Sequence, residues 1–442
     1  MKNNIIKIAI VCVSILFVGC EDRLNLTDPS VLGLNQFIVD EETAELALFG
    51  MYDNLQSRYV AGAEPKMVQG LYADELEHPG SFPHLDEALF NNFLTNNFAM
   101  TNIMASHYNA INSSVEIARL TEDLEDNVIS PSRRSEIVAE AHAVRAFAYF
   151  QMVKTYGGLP IPTGTVPLDG PEAGNVPRSS ESEVYEYILN EINLAQGKLA
   201  SNNPVTQMTE NALTLLKADV YMFRGQYDLA EPLLASLVGD YSITGTYEEL
   251  WDGSSNSSAI FRVAYNAVDA NGLSAFFTPT GRREVSPSQK LVDAFEPGDT
   301  RINLIVNPSN PLTNFINKYQ STFFQPYIYR YADVLLMYGE VLARRNAPNA
   351  ASVVDPVRTR AGLGTIAPLN SSNVVSKIAQ ERFVEFYGEG RRWQDVKRLG
   401  LAQQVITSKG LNFTARQLLW PIPQNEIDRN ASLSQADQNP GY

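Results

Sequence analysis

Small and aromatic residues recur in one stretch of the chain at the spacing that lets two short helices pack against each other. Gly225 falls where the first helix would end and the second would begin. The residues of the pattern are Ala218, Tyr221, Gly225, Tyr227 and Ala230. Its first half occurs again at residues 143–156 and 331–345. Because one helix pair buries its apolar face only against a neighbouring pair, the spacing predicts several pairs stacked in a superhelix.

Helical periodicity extends over most of the remaining chain. Helices are predicted over residues 41–57, 102–124, 132–156, 180–199, 206–224, 227–238, 288–295, 329–345, 350–361 and 371–398. Ser132 is predicted to cap the third of these, residues 77–101 to be mostly loop, and residues 259–265 to be extended. The predicted fold class is all-α, with tetratricopeptide-like helix pairs forming a superhelical scaffold, long ligand-binding loops and minor β structure. A generic helical domain is the simpler alternative.

The N-terminus has the features of a lipoprotein signal peptide. Two lysines precede an apolar run from Ile8 to Val18. This run is shorter than the roughly 20 residues that cross a bilayer, but it suits the core of a signal peptide. Gly19-Cys20 ends the run, and acidic and polar residues follow. We predict a signal peptide at residues 1–19, lipid attached to Cys20 and a tether over residues 20–35. An ordinary secretory peptide and a signal anchor are the alternatives.

Composition excludes several classes of protein. The chain has two cysteines, Cys12 and Cys20, so the processed protein would have neither an internal disulfide nor a cysteine metal site. Its 34 basic and 50 acidic residues give a formal net charge of −16. Because nucleic-acid binding depends on clustered lysine and arginine, no nucleic-acid partner is expected.

The sequence carries no recognisable catalytic signature. His78 and His84 share a segment with Asp74 and Asp86, but their spacing matches no zinc pattern, so a solvated loop is predicted. A carboxylate pair could hydrolyse glycosides. The candidates Glu381, Glu385 and Glu389 recur at helical spacing beside Arg382, Arg391 and Arg392. Such spacing places them on one helix face, and the alternation of charge favours ion pairs that fasten this helix to its neighbours. We therefore predict a protein that is not an enzyme and needs no cofactor.

Two segments combine aromatic rings with amides and charged groups, which is the mixture that a carbohydrate site needs. They are residues 74–102 and 265–283. The candidate ligand contacts are Asp74, Phe82, Asn96, Asn97, Tyr265, Phe276, Phe277 and Arg282. For each of these residues, packing in the protein interior is the competing interpretation.

Five motifs together resemble those of one protein family. They are Arg145-Ala146 with Tyr149-Phe150 and Tyr156-Gly157-Gly158; Arg330-Tyr331-Ala332-Asp333-Val334-Leu335-Leu336-Met337-Tyr338; Val357-Arg358-Thr359-Arg360-Ala361-Gly362-Leu363; Glu381-Arg382 with Glu389-Gly390-Arg391-Arg392-Trp393; and Trp420-Pro421-Ile422-Pro423 followed by Gln438-Asn439-Pro440-Gly441-Tyr442. On these motifs the chain from Cys20 to Tyr442 resembles the SusD/RagB nutrient-binding lipoproteins of Bacteroidetes outer membranes.

This resemblance implies a single domain over residues 36–442, with N-terminal and C-terminal portions interleaved on one helical scaffold. It implies a SusC-like TonB-dependent outer-membrane transporter as partner, with the protein acting as a lid that captures oligosaccharide or polysaccharide. Asp74 falls where the family often has an acidic residue near its site. The acidic residues after Cys20 resemble a surface-export signal, which implies a lipid anchor in the outer membrane and exposure at the cell surface. Peptide or another nutrient is the alternative ligand, and a surface glycosidase is a further alternative.

Overall fold

The computed structural model describes residues 37–162, 175–243, 245–253 and 257–442. The predicted signal peptide, Cys20 and the tether lie outside the described residues. Within them the chain forms sixteen α-helices. In chain order they are α1 (Glu41–Gln56), α2 (Ala63–Tyr72), α3 (Pro83–Leu89), α4 (Phe98–Glu122), α5 (Pro131–Tyr156), α6 (Glu181–Ala195), α7 (Glu210–Phe223), α8 (Tyr227–Ser236), α9 (Leu273–Phe277), α10 (Gln289–Asp293), α11 (Tyr331–Arg344), α12 (Ala350–Arg360), α13 (Val374–Glu385), α14 (Arg392–Arg398), α15 (Ala402–Ser408) and α16 (Gln424–Arg429).

The strands are short, and within the described residues they form two-stranded sheets. They are β1 (Leu76–Glu77), β2 (Ala259–Arg262), β3 (Ser286–Pro287), β4 (Ile305–Val306), β5 (Phe315–Ile316) and β6 (Tyr327–Arg330). All three pairs, β1 with β3, β2 with β6 and β4 with β5, are antiparallel. Leu76 lies opposite Pro287, so the β1–β3 pair joins the first segment predicted to bind ligand to the part of the chain that follows the second segment.

Consecutive helices pack as pairs, as the sequence pattern predicts. The neighbours in space are α4 with α5, α5 with α6, α7 with α8, and α11 with α12, and α8 also packs on α11. Buried apolar side chains from Ile38 to Ile427 form one connected core along these pairs. The predicted all-α fold with tetratricopeptide-like helix pairs is confirmed.

Several helix boundaries differ from the sequence prediction for identifiable reasons. Helix α5 is capped by Ser130, whose hydroxyl accepts the Arg133 N–H, and not by Ser132. Pro131 occupies the first turn, where a missing N–H costs nothing. Helix α4 begins at Phe98 because the Asn97 side chain caps it. The predicted loop at residues 77–101 contains α3, and α2 has no counterpart in the prediction.

The helix predicted over residues 371–398 is two helices, α13 and α14. Gly388 and Gly390 lie between them with φ of 74° and 76°, which is the left-handed region that favours glycine. Glu389 therefore lies beyond the end of α13 and not on its face.

The C-terminal motif fastens the tail to the interior. The Trp420 ring packs against Tyr72, Phe93 and Tyr156, with ring centroids 6.2, 5.6 and 5.8 Å apart. The Asn439 amide donates hydrogen bonds to the carbonyl oxygens of Tyr156 and Trp420, at 2.9 and 2.7 Å. These contacts give the motif a structural role. None of the helices in the described ranges is long and apolar enough to cross a membrane.

Candidate functional site

Four aromatic rings and two arginines form a partly exposed cluster where α1, α3, α4 and α9 meet. We call this cluster the aromatic platform, and it consists of Arg58, Tyr59, Phe82, Phe98, Phe276 and Arg282. The Phe82 and Phe276 ring centroids are 6.2 Å apart, and those of Tyr59 and Phe98 are 6.1 Å apart. The His84 ring lies between Phe82 and Phe98, with its centroid 5.4 Å from each. The result is a continuous aromatic surface.

Guanidinium groups frame this surface. The Cζ atom of Arg58 lies 4.3 Å from the ring centroid of Phe276 and 5.5 Å from that of Phe82. The Cζ atom of Arg282 lies 4.3 Å from the ring centroid of Phe82. A guanidinium at such distances is attracted by the negative face of an aromatic ring. The platform therefore offers apolar ring surface and hydrogen-bond donors next to each other.

Local structure determines where each platform residue lies. Phe82 precedes Pro83 at the start of α3, and Phe98 is the first residue of α4 after the Asn97 cap. Arg58 and Tyr59 belong to the turn between α1 and α2, which closes tightly at Gly62. A Cβ atom at Gly62 would come within 2.5 Å of the Arg58 Cα, so only glycine fits this turn.

Each platform arginine is held by a buried glutamate that also contacts a histidine. Glu64 accepts from Arg58 Nε at 2.8 Å, and its other oxygen is 2.7 Å from His84 Nε2. Glu284 accepts from Arg282 Nε at 2.7 Å and lies 3.3 Å from His78 Nε2. These two glutamates are almost fully buried, so they fix the arginines over the rings.

Glu284 stays ionised at this position. Burial acts to raise its pKa, but hydrogen bonds from Arg282, from the N–H groups of Ser81 and Phe82, and from His78 outweigh burial and lower the pKa below the ordinary value. Because the folded-state pKa is lowered, the stabilisation is present above the unfolded pKa and declines as the pH falls below it.

Three of the predicted ligand contacts, Phe82, Phe276 and Arg282, come together in the platform. Arg282 is the most open of the three, with 52% of its side chain exposed. Asn96 is also exposed, in the turn that leads into α4. These four residues are the ones that the structure leaves accessible for a ligand.

The other four predicted contacts have buried side chains with structural partners. Asn97 accepts the N–H groups of Ala99 and Met100 as the α4 cap. The Tyr265 hydroxyl donates to the Gln56 carbonyl oxygen. Phe277 is 0% exposed, because its position on α9 faces the interior while Phe276 faces the platform. Asp74 is also buried, in ion pairs with Arg392 and Lys290, both at 2.7 Å. We therefore leave these four out of the proposed site.

Replacing Asp74 with alanine is expected to destabilise the protein by about 3–5 kcal/mol without changing the ligand affinity of the folded protein. The change leaves Arg392 buried without its carboxylate partner, which is the costly way to break a buried ion pair. Thermal unfolding and ligand titration of the same sample measure the two quantities. A weakened affinity with an unchanged melting temperature would return Asp74 to the ligand site.

The prediction that His78 and His84 lie in a solvated loop is wrong for His78. Only 2% of its side chain is exposed, and Nδ1 lies 2.7 Å from Asp86. His84 contacts the buried Glu64. In the part of the chain that the structure describes, no three His, Cys, Asp or Glu side chains are placed to hold a metal ion.

The three carboxylates considered as glycosidase candidates are paired with cations in the interior. Glu381 contacts Arg301 and Arg358, each at 2.7 Å. Glu385 contacts Arg301 at 3.0 Å and also pairs with Arg330 and Arg360. Glu389 contacts Lys318 at 3.1 Å and Arg330 at 3.0 Å. The predicted ion pairing is confirmed, although Glu389 takes part from beyond the helix.

Sequence reasoning did not identify Arg58 and Tyr59. They follow a predicted helix in a segment with no predicted element, and the nearby Gly62 is the one local signal of a tight turn. His84 and Phe98 lie in a segment that the sequence singled out, but nothing in the sequence distinguished them from their neighbours.

A cavity of about 320 Å³ lies beneath the C-terminal tail, apart from the aromatic platform. Tyr108, Asn112, Ile422 and Glu426 are among its lining residues. The lining also includes Pro162 and Val176, which adjoin residues 163–174, outside the described ranges. We therefore base no site on this cavity.

Known proteins are similar to this chain over nearly its whole length. A family model described as the SusD family matches residues 313–442, and one described as starch-binding associating with outer membrane matches residues 53–222. A SusD-like protein of Formosa agariphila is 25% identical over 94% of this chain and 95% of its own length. A SusD-like protein of Bacteroides ovatus is 20% identical over 90% of this chain and 82% of its own length.

Solved structures share the fold. One described as a laminarin binding SusD-like protein superposes with a TM-score of 0.80 at 22% identity, covering 91% of this chain and all of the other. Surface glycan-binding protein A from Bacteroides fluxus superposes with a TM-score of 0.77 at 20% identity, with the same coverage.

The stacked helix pairs define a helical-repeat protein, and the aromatic platform is its candidate site. The chain belongs to the SusD/RagB family.

Proposed function

We propose that the protein binds oligosaccharide or polysaccharide on the aromatic platform. The observation that carries the proposal is that Phe82, Phe98 and Phe276 join two arginines, on turns and helix ends that a rigid scaffold supports. Aromatic rings contact the apolar faces of sugars, and guanidinium N–H groups donate to hydroxyl oxygens. Arg282 uses Nε for Glu284 and Nη2 for Ser81, and a guanidinium has five N–H donors, so donors remain for a ligand.

The comparisons support this ligand class. One similar structure is described as laminarin binding and another as surface glycan-binding, and one matching family model is described as starch-binding.

Affinity electrophoresis against a panel of polysaccharides, together with calorimetry against peptides, tests the ligand class. We expect at least one polysaccharide to retard the protein in the gel. Peptide binding without retardation by any glycan would favour the alternative nutrient and overturn the proposal. Release of shorter sugars from a bound glycan by the purified protein would instead indicate a glycosidase.

We further propose that the protein acts at the cell surface, anchored in the outer membrane through Cys20. It would deliver its ligand to a SusC-like TonB-dependent transporter as a lid. One matching family model is described as associating with outer membrane, which supports this location. Co-purification of the solubilised protein with a TonB-dependent barrel tests the partner.

Replacing Cys20 with alanine is expected to abolish lipid attachment and to release the protein from the outer membrane. Cys20 is the predicted acceptor, and lipoprotein anchoring requires acyl chains to be buried in the bilayer. Labelling of cells with a palmitate analogue, followed by membrane fractionation, measures both effects. Cys12→Ala is the matched control, since Cys12 lies inside the predicted signal peptide. Labelling of the Cys20→Ala protein at the wild-type level would contradict the prediction.

A further inference from the structure

A groove of about 270 Å³ opens at the C-terminal end of α3, between β1, α10 and the end of α15. We call it the α3 groove. Its apolar lining includes Leu89, Phe90 and Leu411, and its polar lining includes Glu77 and Gln289. The groove shares no lining residue with the aromatic platform, so the proposed function gives it no role by itself.

The segment between α3 and α4, residues 90–98, runs from the groove back to the platform. The Leu94 N–H donates to Glu87 Oε2 at 2.9 Å, in the second half of α3. The Asn97 amide donates to the His84 carbonyl oxygen at 3.1 Å, in the first turn of α3. The segment therefore returns along α3, from its groove end to its platform end.

Three apolar side chains of this segment are exposed to solvent, and we call them the apolar ridge. Phe90, Leu94 and Phe98 are 58%, 54% and 51% exposed. Phe90 lines the groove, and Phe98 belongs to the platform. Since the 7 residues of α3 rise by about 1.5 Å each, the groove and the platform lie about 10 Å apart along this helix. Exposed apolar patches on soluble proteins commonly mark binding surfaces.

The ridge is fixed to the scaffold by the residues between its exposed members. The Phe93 ring is 0% exposed and stacks on Tyr72, with the ring centroids 5.0 Å apart. Arg416 Nη2 donates to the Phe93 carbonyl oxygen at 3.0 Å, and the Gln424 N–H donates to that of Thr95 at 2.8 Å. A surface held in this way loses little conformational freedom when a ligand binds, which favours binding.

Polar side chains of the groove retain hydrogen-bonding capacity. The Glu77 carboxylate accepts no hydrogen bond and forms no ion pair within the described part of the chain. The Gln289 amide donates one N–H to Asp293 at 2.7 Å, which leaves its oxygen and its second N–H for a ligand. Both side chains are exposed and share the groove with the Phe90 ring. Donors and acceptors beside an aromatic surface are the groups that hold a sugar.

The lysines that line the groove are already engaged. Lys290 Nζ contacts the Asp74 carboxylate at 2.7 Å. Lys409 Nζ donates to backbone carbonyl oxygens and, at 2.8 Å, to the Asn91 amide oxygen. Together with the unpaired Glu77 carboxylate, these contacts disfavour an anionic ligand.

We propose that the protein binds an extended polysaccharide, one part of which lies on the aromatic platform and another in the α3 groove, across the apolar ridge. This inference rests on the proposed function and adds to it a second subsite and a minimum ligand length. Phe90 contacts a sugar face, Glu77 accepts from hydroxyl groups, and Gln289 donates to a hydroxyl oxygen. The concave polar groove and the continuity of the ridge with the platform favour a glycan over a protein partner on this surface.

A ladder of oligosaccharides of increasing length tests the inference. The ladder is prepared from the polysaccharide that retards the wild-type protein in gels, and calorimetry measures the affinity for each member. We expect the affinity to rise with length until the ligand reaches from the platform to the groove, and to level off beyond that length. Equal affinity for all lengths that bind would overturn the second subsite.

The double variant Glu77→Gln/Phe90→Ala separates the groove from the platform. We expect it to bind the longest oligosaccharide about tenfold more weakly than the wild type, because it loses an aromatic contact and a hydroxyl acceptor. The shortest ligand that binds occupies the platform alone, so its affinity should be unaltered. Both substituted residues are exposed, so the variant should stay folded. Phe49→Ala is the matched control, an aromatic residue 54% exposed on α1 that should bind every length like the wild type.

The outcomes distinguish this inference from the proposed function. Wild-type affinity of the groove variant for the longest oligosaccharide would exclude the second subsite, and the platform would stand if Phe82→Ala/Phe276→Ala still weakens binding. A wild-type protein that binds no glycan would overturn both. Unchanged glycan affinity with reduced co-purification of a TonB-dependent barrel would assign the ridge and groove to the transporter instead.

Discussion

Replacing Glu385 with alanine is expected to destabilise the protein by about 3–5 kcal/mol, which is a large part of the roughly 5–15 kcal/mol by which a folded domain is stable. Glu385 is fully buried and pairs with Arg301, Arg330 and Arg360, three arginines that come from separate parts of the chain. Its removal leaves their positive charges uncompensated in the interior. The melting temperature, or the denaturant concentration at the unfolding midpoint, measures the loss.

Glu122→Ala is the matched control. Glu122 is exposed at the end of α4, and a surface substitution of this kind is expected to change stability by no more than about 0.5 kcal/mol. Glu385→Gln keeps the shape of the side chain and provides a milder variant if the alanine protein does not fold. A Glu385→Gln protein as stable as the wild type would contradict the interpretation of Glu385 as the centre of the ion network.

The pH dependence of this network has a definite sign. Burial acts to raise the pKa of Glu385, but the charges of Arg360, Arg330 and Arg301 outweigh burial and hold the pKa far below the ordinary glutamate value. The stabilisation is therefore complete above the unfolded pKa of about 4.3 and is lost as the pH falls from there toward the folded pKa. Wild-type stability should fall more steeply below about pH 4.3 than that of Glu385→Gln.

Replacing both Phe82 and Phe276 with alanine is expected to weaken glycan binding about 30-fold or more. The two rings form the centre of the platform, and truncation of central aromatic contacts commonly costs 2 kcal/mol or more of binding free energy. Because both rings are partly exposed, the double variant should stay folded. Its loss of affinity can then be assigned to the site. Calorimetry with the glycan that retards the wild type in gels measures the change.

The control for this prediction is Phe49→Ala. Phe49 is 54% exposed on α1 and has no contact with a platform ring, so its removal should leave affinity unchanged. An unaltered affinity in the double platform variant, with glycan binding intact in the wild type, would exclude the platform as the site. That result would leave glycan binding itself standing.

The platform shows where sequence reasoning succeeds and where it fails. Phe82, Phe276 and Arg282 stand in segments rich in turn-forming and polar residues, and that composition is visible in the sequence. The exposure of Phe276 and the burial of Phe277 are not visible there, because the two neighbours share a composition and differ only in which way α9 turns them. Arg58 and Tyr59 join the platform from a turn that carries no distinctive composition.

Asp74 illustrates the same difficulty for charged residues. From the sequence alone, an acidic side chain beside aromatic and amide residues could belong to a ligand site or to a structural ion pair, and the two are equally consistent with the pattern. Arg392, its partner, lies 318 residues further along the chain, and no local pattern connects the two. The tertiary structure decides between the alternatives by bringing the guanidinium to 2.7 Å.

The sequence by itself determined the helical class, the pairing of the helices and the ion-paired character of Glu381 and Glu385. The helical class and the helix pairing depend on residues three to about twelve positions apart, and helical geometry turns such spacings into contacts. The alternation of charge indicated that the two glutamates are paired, but their arginine partners lie 23 to 84 positions away and follow from the fold. Only the tertiary structure decided which aromatic residues face solvent and which carboxylates are enclosed. Those outcomes depend on contacts between segments that are distant in the chain, and their energies come from burial that no local stretch of sequence specifies.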